Sequence, residues 1–89
     1  MAWTVEVTPA AAKQIKKLGP VDAGRVRAFL RERLAALDDP RQIGKPLTGS
    51  KLGHFWRYRV GDHRLLCEIQ DRALVVLVVE VGHRGDVYR

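Results

Sequence analysis

The sequence predicts an α+β fold in which a helical hairpin packs on a mostly antiparallel four-stranded sheet, in the order β-α-α-β-β-β. Three observations predict it. Apolar residues recur at helical spacing between positions 9 and 37 and nowhere later. Three strand-like stretches then follow a glycine-rich segment: "HFWRYRV" (54–60), "HRLLCEIQ" (63–70) and "ALVVLVVEV" (73–81). A chain of 89 residues has room for one core, so residues 1–89 read as a single domain.

Each element has its own signal. "AWTVEV" (2–7) alternates as a strand does. Thr8 then Pro9 is a helix start, a hydroxyl cap followed by proline at the first helical position. Ala11, Ile15 and Leu18 form its apolar face, and Gly19 ends it. The second helix runs from about Val21 to Leu37, with Val26, Leu30, Leu34 and Leu37 as its stripe and Arg25, Arg27, Arg31 and Arg33 off it. Asp38, Asp39 and Pro40 stop it, and residues 41–53 read as a loop. Gly61-Asp62 and Asp71-Arg72 read as two-residue hairpin turns, the first the stronger signal.

Composition removes several classes of function. The 46% hydrophobic content is that of a folded domain. A lone cysteine, Cys67, excludes a disulfide framework and any cysteine-based zinc site, and its place on the inferred core face makes it a small buried hydrophobe. The first residues lack the apolar core of a signal peptide, and no stretch is long enough to cross a bilayer, so the expected home is cytoplasmic. The net charge of +6 points to a polyanion or an acidic protein partner. Residues 1–53 carry ten Lys/Arg against five Asp/Glu, whereas residues 54–89 carry six against five, so the surplus alone does not locate a site.

Register locates one. If Gly61-Asp62 is the turn, Val60 faces His63, Arg59 faces Arg64 and Tyr58 faces Leu65. Trp56, Tyr58 and Val60 then share the face that covers the helices, and Arg57, Arg59 and Arg64 share the other. Like charges directly opposed across strands cost up to ~1 kcal/mol. Folding gives no reason for that arrangement, whereas a phosphate does, because guanidinium forks bind its oxygens in bidentate fashion. Three solvated arginines splayed at a sheet edge are the plain alternative. The ending "VGHRGDVYR" (81–89) adds His83, Arg84 and Tyr88, residue types that move protons, hold phosphate and stack on bases. His54 and His63 read as structural. Glu68 falls on the arginine face as a candidate partner of Arg57, and Glu80 is an edge charge or a partner of His63.

Taken together, "KKLG" (16–19), "KPLTG" (45–49), "YRVGDHRLLCEI" (58–69) and "VGHRGDVYR" (81–89) make the chain resemble the RelE/ParE toxin superfamily of type II toxin–antitoxin systems over nearly its whole length. The resemblance implies a RelE-like messenger RNA interferase. Such toxins enter the ribosomal A site and cut the codon there, using the RNA 2′-hydroxyl and neither metal nor cofactor. It implies a cognate antitoxin as neutralising partner, the ribosome with bound messenger RNA as target, and operator DNA reached only through the antitoxin complex, with no membrane partner.

The resemblance also carries site residues. The basic pair on the first hairpin strand matches Arg57 and Arg59, the next strand's arginine matches Arg64, the arginine after the final strand matches Arg84, and the C-terminal tyrosine matches Tyr88. His83 is the reserve acid–base group. The basic pair is lysine in the best-known members, and there the segment up to the next arginine is two residues longer. Arginine stays protonated and is a poor general base, so the 2′-hydroxyl proton needs another acceptor: Tyr88, His83, a water or an RNA group. Lys13, Lys16, Lys17, Arg31 and Lys51 are expected to add RNA contacts without choosing a codon. The same superfamily also implies two alternatives, a non-enzymatic ParE-like gyrase poison and an antitoxin-binding co-repressor of weak toxicity.

Overall fold

The computed structural model describes residues 3–47 and 55–83. Strand β1 (Thr4–Val7) leads into helix α1 (Pro9–Lys17) and helix α2 (Pro20–Ala28), which continues as a π-helical segment, Phe29–Leu34. A 3-10 turn at Pro40–Gln42 precedes β2 (Lys45–Pro46), and β3 (Phe55–Val60), β4 (His63–Gln70) and β5 (Val75–His83) complete the fold. The strands form one sheet in the order β1-β5-β4-β3-β2, with β1 parallel to β5 and the remaining pairs antiparallel.

Helix α1 starts where cap chemistry puts it. The Thr8 hydroxyl accepts the Ala11 amide at 3.1 Å, Pro9 occupies the first turn, and Lys16 and Lys17 face the negative end of α1. Gly19, at φ +90°, turns the chain into α2. The stripe Val26, Leu30, Leu34 repeats every four residues, slightly more than one turn of an ordinary helix of about 3.6 residues. Along an uninterrupted α-helix that stripe would drift by about 40° per step. The wider i→i+5 turns, such as Ala35 N–H to the Leu30 carbonyl at 3.1 Å, draw it back, and all three side chains are buried.

The core lies between this hairpin and one face of the sheet, where Ala11, Ile15, Val26, Leu30 and Leu34 meet Tyr58, Leu65, Cys67, Val76, Val78 and Val81. Leu66 faces Glu80 while Cys67 faces Val78, so β5 holds one extra residue, Val79, as a bulge. Val78 and Val81 are three residues apart and would fall on opposite faces of a regular strand. The bulge lets both enter the core.

Three sequence expectations are corrected. The sheet has five strands rather than four, because Lys45 and Pro46, within the stretch read as a loop, pair with Arg57 and Trp56. A proline fits there because an edge strand has no outer neighbour needing its amide. The second helix does not run as one α-helix to Leu37. The β4–β5 connection is four residues, Asp71–Leu74, rather than two: Gln70 pairs with Val75, and the Leu74 amide bonds back to the Asp71 carbonyl at 3.2 Å with Leu74 at φ +53°. Arg41 grips both oxygens of Asp71, at 2.9 and 2.7 Å, tying this turn to the segment after the helices.

Candidate functional site

The hairpin register sets the site. Gly61, at φ +59°, and Asp62 form the tight turn, and Arg59 stands opposite Arg64, Tyr58 opposite Leu65 and Val60 opposite His63. Tyr58, His63, Leu65 and Cys67 are buried under the helices. Arg57, Arg59 and Arg64 therefore share the open face. On β2, Lys45 stands opposite Arg57 and joins them there. Two like-charge rungs, Lys45–Arg57 and Arg59–Arg64, thus cross three neighbouring strands.

These cations line one cleft of about 570 Å³, with Arg33 approaching from the end of the helical segment. Phe29, Ile43, Tyr58 and Val60 supply its apolar walls, and no carboxylate lines it among the described residues. Arg57, Arg59 and Arg64 make no ion pair among the described residues, and the Arg59 Nε donates to the Gly61 carbonyl at 3.3 Å. Glu68 does not pair with Arg57: it accepts a hydrogen bond from the Gln70 side-chain Nε2 at 2.7 Å.

The cleft is propped from below. The buried Tyr58 hydroxyl donates to the Pro40 carbonyl oxygen at 2.8 Å, and its ring packs 6.0 Å from that of Phe29. Burial pushes the Tyr58 phenol above its ordinary range, so it holds its proton and serves as a post rather than a base. Gly44 makes the neighbouring backbone approach possible. It sits at φ +79°, and a Cβ there would lie 2.6 Å from the Arg57 carbonyl oxygen and 2.7 Å from the Tyr58 ring.

His83 lies elsewhere. It stands opposite His63, whose side chain faces the core, and the two rings meet at 4.8 Å. His63 is buried, its Nε2 is 3.2 Å from Asp22 Oδ2, and it has no contact with Glu80, which faces Leu66. Both histidines line a separate small cavity of about 110 Å³ with Asp22, Arg25 and Asp62. The sheet thus separates His83 from the arginines it was expected to join, because β5 pairs with β4 in a register that gives Arg64 the glycine, Gly82, and His63 the histidine. Arg84, Tyr88, Lys51 and His54 lie outside the described residues. Lys13, Lys16 and Lys17 are exposed on α1, and Arg31 is exposed on the π-helical segment without lining the cleft.

Lys45 and Arg33 line the cleft although neither stands out as a cleft residue in the sequence. Lys45 sat in an apparent loop, and its signal was the preceding Gly44, which marks a close backbone approach. Arg33 was one of four arginines off the helix stripe, and only the packing of that helix against β3 distinguishes it. Among the described residues no cluster of His, Cys, Asp or Glu could hold a metal ion, and no helix is long and apolar enough to cross a membrane.

Comparison with known proteins follows the same lines. Residues 5–88 match the family model described as the ParE toxin of type II toxin–antitoxin systems, parDE. Toxin RelG of Mycobacterium tuberculosis is 36% identical over 89 residues, which span 100% of this chain and 99% of RelG. The toxin–antitoxin complex RelBE2, also from M. tuberculosis, contains a chain that superposes with a TM-score of 0.83 at 32% identity, covering 97% of this chain and 95% of that one. The isolated Escherichia coli RelE toxin gives a TM-score of 0.72 at 25% identity, covering 98% and 92%.

Proposed function

This chain belongs to the RelE/ParE superfamily of type II toxin–antitoxin toxins, and on that footing we propose that it is a ribosome-dependent endoribonuclease whose basic cleft binds the messenger RNA backbone. One observation carries the reading: Arg57, Arg59 and Arg64 share one open face, with Arg59 set directly against Arg64 and no described carboxylate neutralising them. Such an arrangement opposes folding and favours a bound polyanion.

In this reading the RNA 2′-oxygen attacks the adjacent phosphorus and the P–O5′ bond breaks. The products are a 2′,3′-cyclic phosphate and a 5′-hydroxyl. Charge accumulates on the phosphoryl oxygens, where Arg64, aided by Arg84, supplies fixed donors. Arg57 and Arg59 add positive field and orient the attacking hydroxyl. None of these guanidinium groups accepts a proton, and Tyr58 is held as a donor to Pro40. His83 faces the other side of the sheet. The 2′-hydroxyl proton therefore passes to Tyr88, a water or an RNA group, and the leaving 5′-oxygen takes up a proton in turn. The exposed lysines of α1, with Arg31 and Lys51, add salt-dependent contacts to ribosomal RNA.

The partners proposed with it are a cognate antitoxin, as in the RelBE2 complex, the ribosome with bound messenger RNA in the cytoplasm, and operator DNA through the antitoxin complex. The test is a translating extract with primer extension and end-group analysis of the message. Cuts inside codons that leave cyclic-phosphate ends, and that vanish with Arg64→Ala in a folded protein, are expected. An intact message under full translation would end the proposal. The ParE description of the matching family model favours one second reading, gyrase poisoning. Stabilised cleavage complexes in a supercoiling assay, with the message untouched, would select it.

A further inference from the structure

We propose that Lys45, seated on β2 by Gly44, forms with Arg57 a second phosphate subsite, which takes the phosphodiester next to the one held at the Arg59–Arg64 rung. The subsite rests on the RNA reading of the cleft and extends it from one phosphate to two.

Lys45 faces Arg57 across β2 and β3, and Arg59 faces Arg64 across β3 and β4. The two rungs share β3, where Arg57 and Arg59 are two residues apart. Along the strand that step is about 6.6 Å, and the change of strand pair adds about 4.8 Å sideways. The rung centres are therefore separated by about 8 Å, a distance that long lysine and arginine side chains shorten to the repeat of successive phosphates on a nucleotide chain. Both rungs border the same cleft, which has room for more than one phosphate group.

The local chain is shaped to put Lys45 there. Gly44, in the left-handed region at φ +79°, lies against the Arg57 carbonyl and the Tyr58 ring closely enough to exclude any side chain. Strand β2 is two residues long and ends at Pro46, so it adds little to the sheet beyond placing the Lys45 ammonium opposite Arg57. An isolated fold gains nothing from a second like-charge rung beside the first. Two bridged phosphates remove both repulsions.

The experiment measures binding of uncleavable 2′-deoxy oligonucleotides to the full chain: a dinucleotide with one phosphodiester and a trinucleotide with two. The trinucleotide is expected to bind the wild type more tightly. Lys45→Met should weaken trinucleotide binding about five- to tenfold and lower its salt-dependence slope by about 0.7, the share of one phosphate contact on a single strand. Dinucleotide binding should change less than twofold, and Lys45→Arg should restore the trinucleotide. Lys45 is exposed, and an unchanged melting curve certifies the fold of each variant. Equal weakening of both ligands, or of neither, overturns the subsite. Because these ligands cannot be cut, a protein that binds as expected yet leaves messages intact refutes the nuclease and keeps the subsite. A nuclease whose binding ignores Lys45→Met refutes the subsite alone.

Discussion

The Tyr58 hydroxyl donates a hydrogen bond to the Pro40 carbonyl oxygen at 2.8 Å, joining the first strand of the basic hairpin to the turn that follows the helices. Both residues are fully buried. Tyr58→Phe keeps the ring but strands a buried carbonyl, which costs about 1–2 kcal/mol. For a domain of this size that lowers the midpoint of thermal unfolding by roughly 4–15 °C, measurable by circular dichroism. A melt within a degree of wild type would show that the bond contributes nothing.

The Arg59–Arg64 rung sets stability against function. Arg64→Gln removes one of two opposed charges, so the free protein should gain a few tenths to ~1 kcal/mol in urea unfolding at low salt. The gain should shrink as salt screens the wild-type repulsion. If Arg64 stabilises charge in the transition state, the same substitution lowers the cleavage rate about 10²–10³-fold. A variant both less stable and fully active would contradict each half.

Two glycines with positive φ should respond differently to alanine. At Gly61 a methyl group meets nothing within 4 Å, leaving only the left-handed backbone cost of about 1–2 kcal/mol. At Gly44 the same cost is joined by collision with the Arg57 carbonyl and the Tyr58 ring. Gly44→Ala should therefore be the more destabilising of the two, by 1 kcal/mol or more. Urea unfolding of both variants ranks them directly, and the reverse order would refute the packing argument.

Cys67 should be inert in the folded chain. It is fully buried, and burial pushes its thiol up to about 12. Iodoacetamide at pH 8 is expected to label it only as fast as the protein unfolds. The linkage has a definite sign: above the ordinary thiol range the unfolded chain loses this proton and the folded chain keeps it. Stability should fall as pH rises from about 9 towards 12, by at most about 1.4 kcal/mol per pH unit from this group. Cys67→Ala should be less stable near neutrality but flatter over that interval. Rapid labelling of the native protein, or an unchanged alkaline slope in the variant, would count against the assignment.

The helical hairpin, four of the five strands and the hairpin face were determined locally. Thr8-Pro9, Gly61-Asp62 and the alternation around Tyr58 each act within a few residues, where backbone sterics and period-two geometry suffice. They place Arg57, Arg59 and Arg64 on one face by local geometry alone. The rest depended on contacts between segments distant in sequence. Lys45 became a strand residue only because β3 lay beside it, with Gly44 clearing the way. Arg33 reached the cleft because its helical segment packs against β3, with Phe29 on the Tyr58 ring. His83 left the arginines because the β4–β5 register set it beside His63. Pairing registers and helix phase are settled by what packs against an element, and that is a property of the whole core rather than of any window of residues.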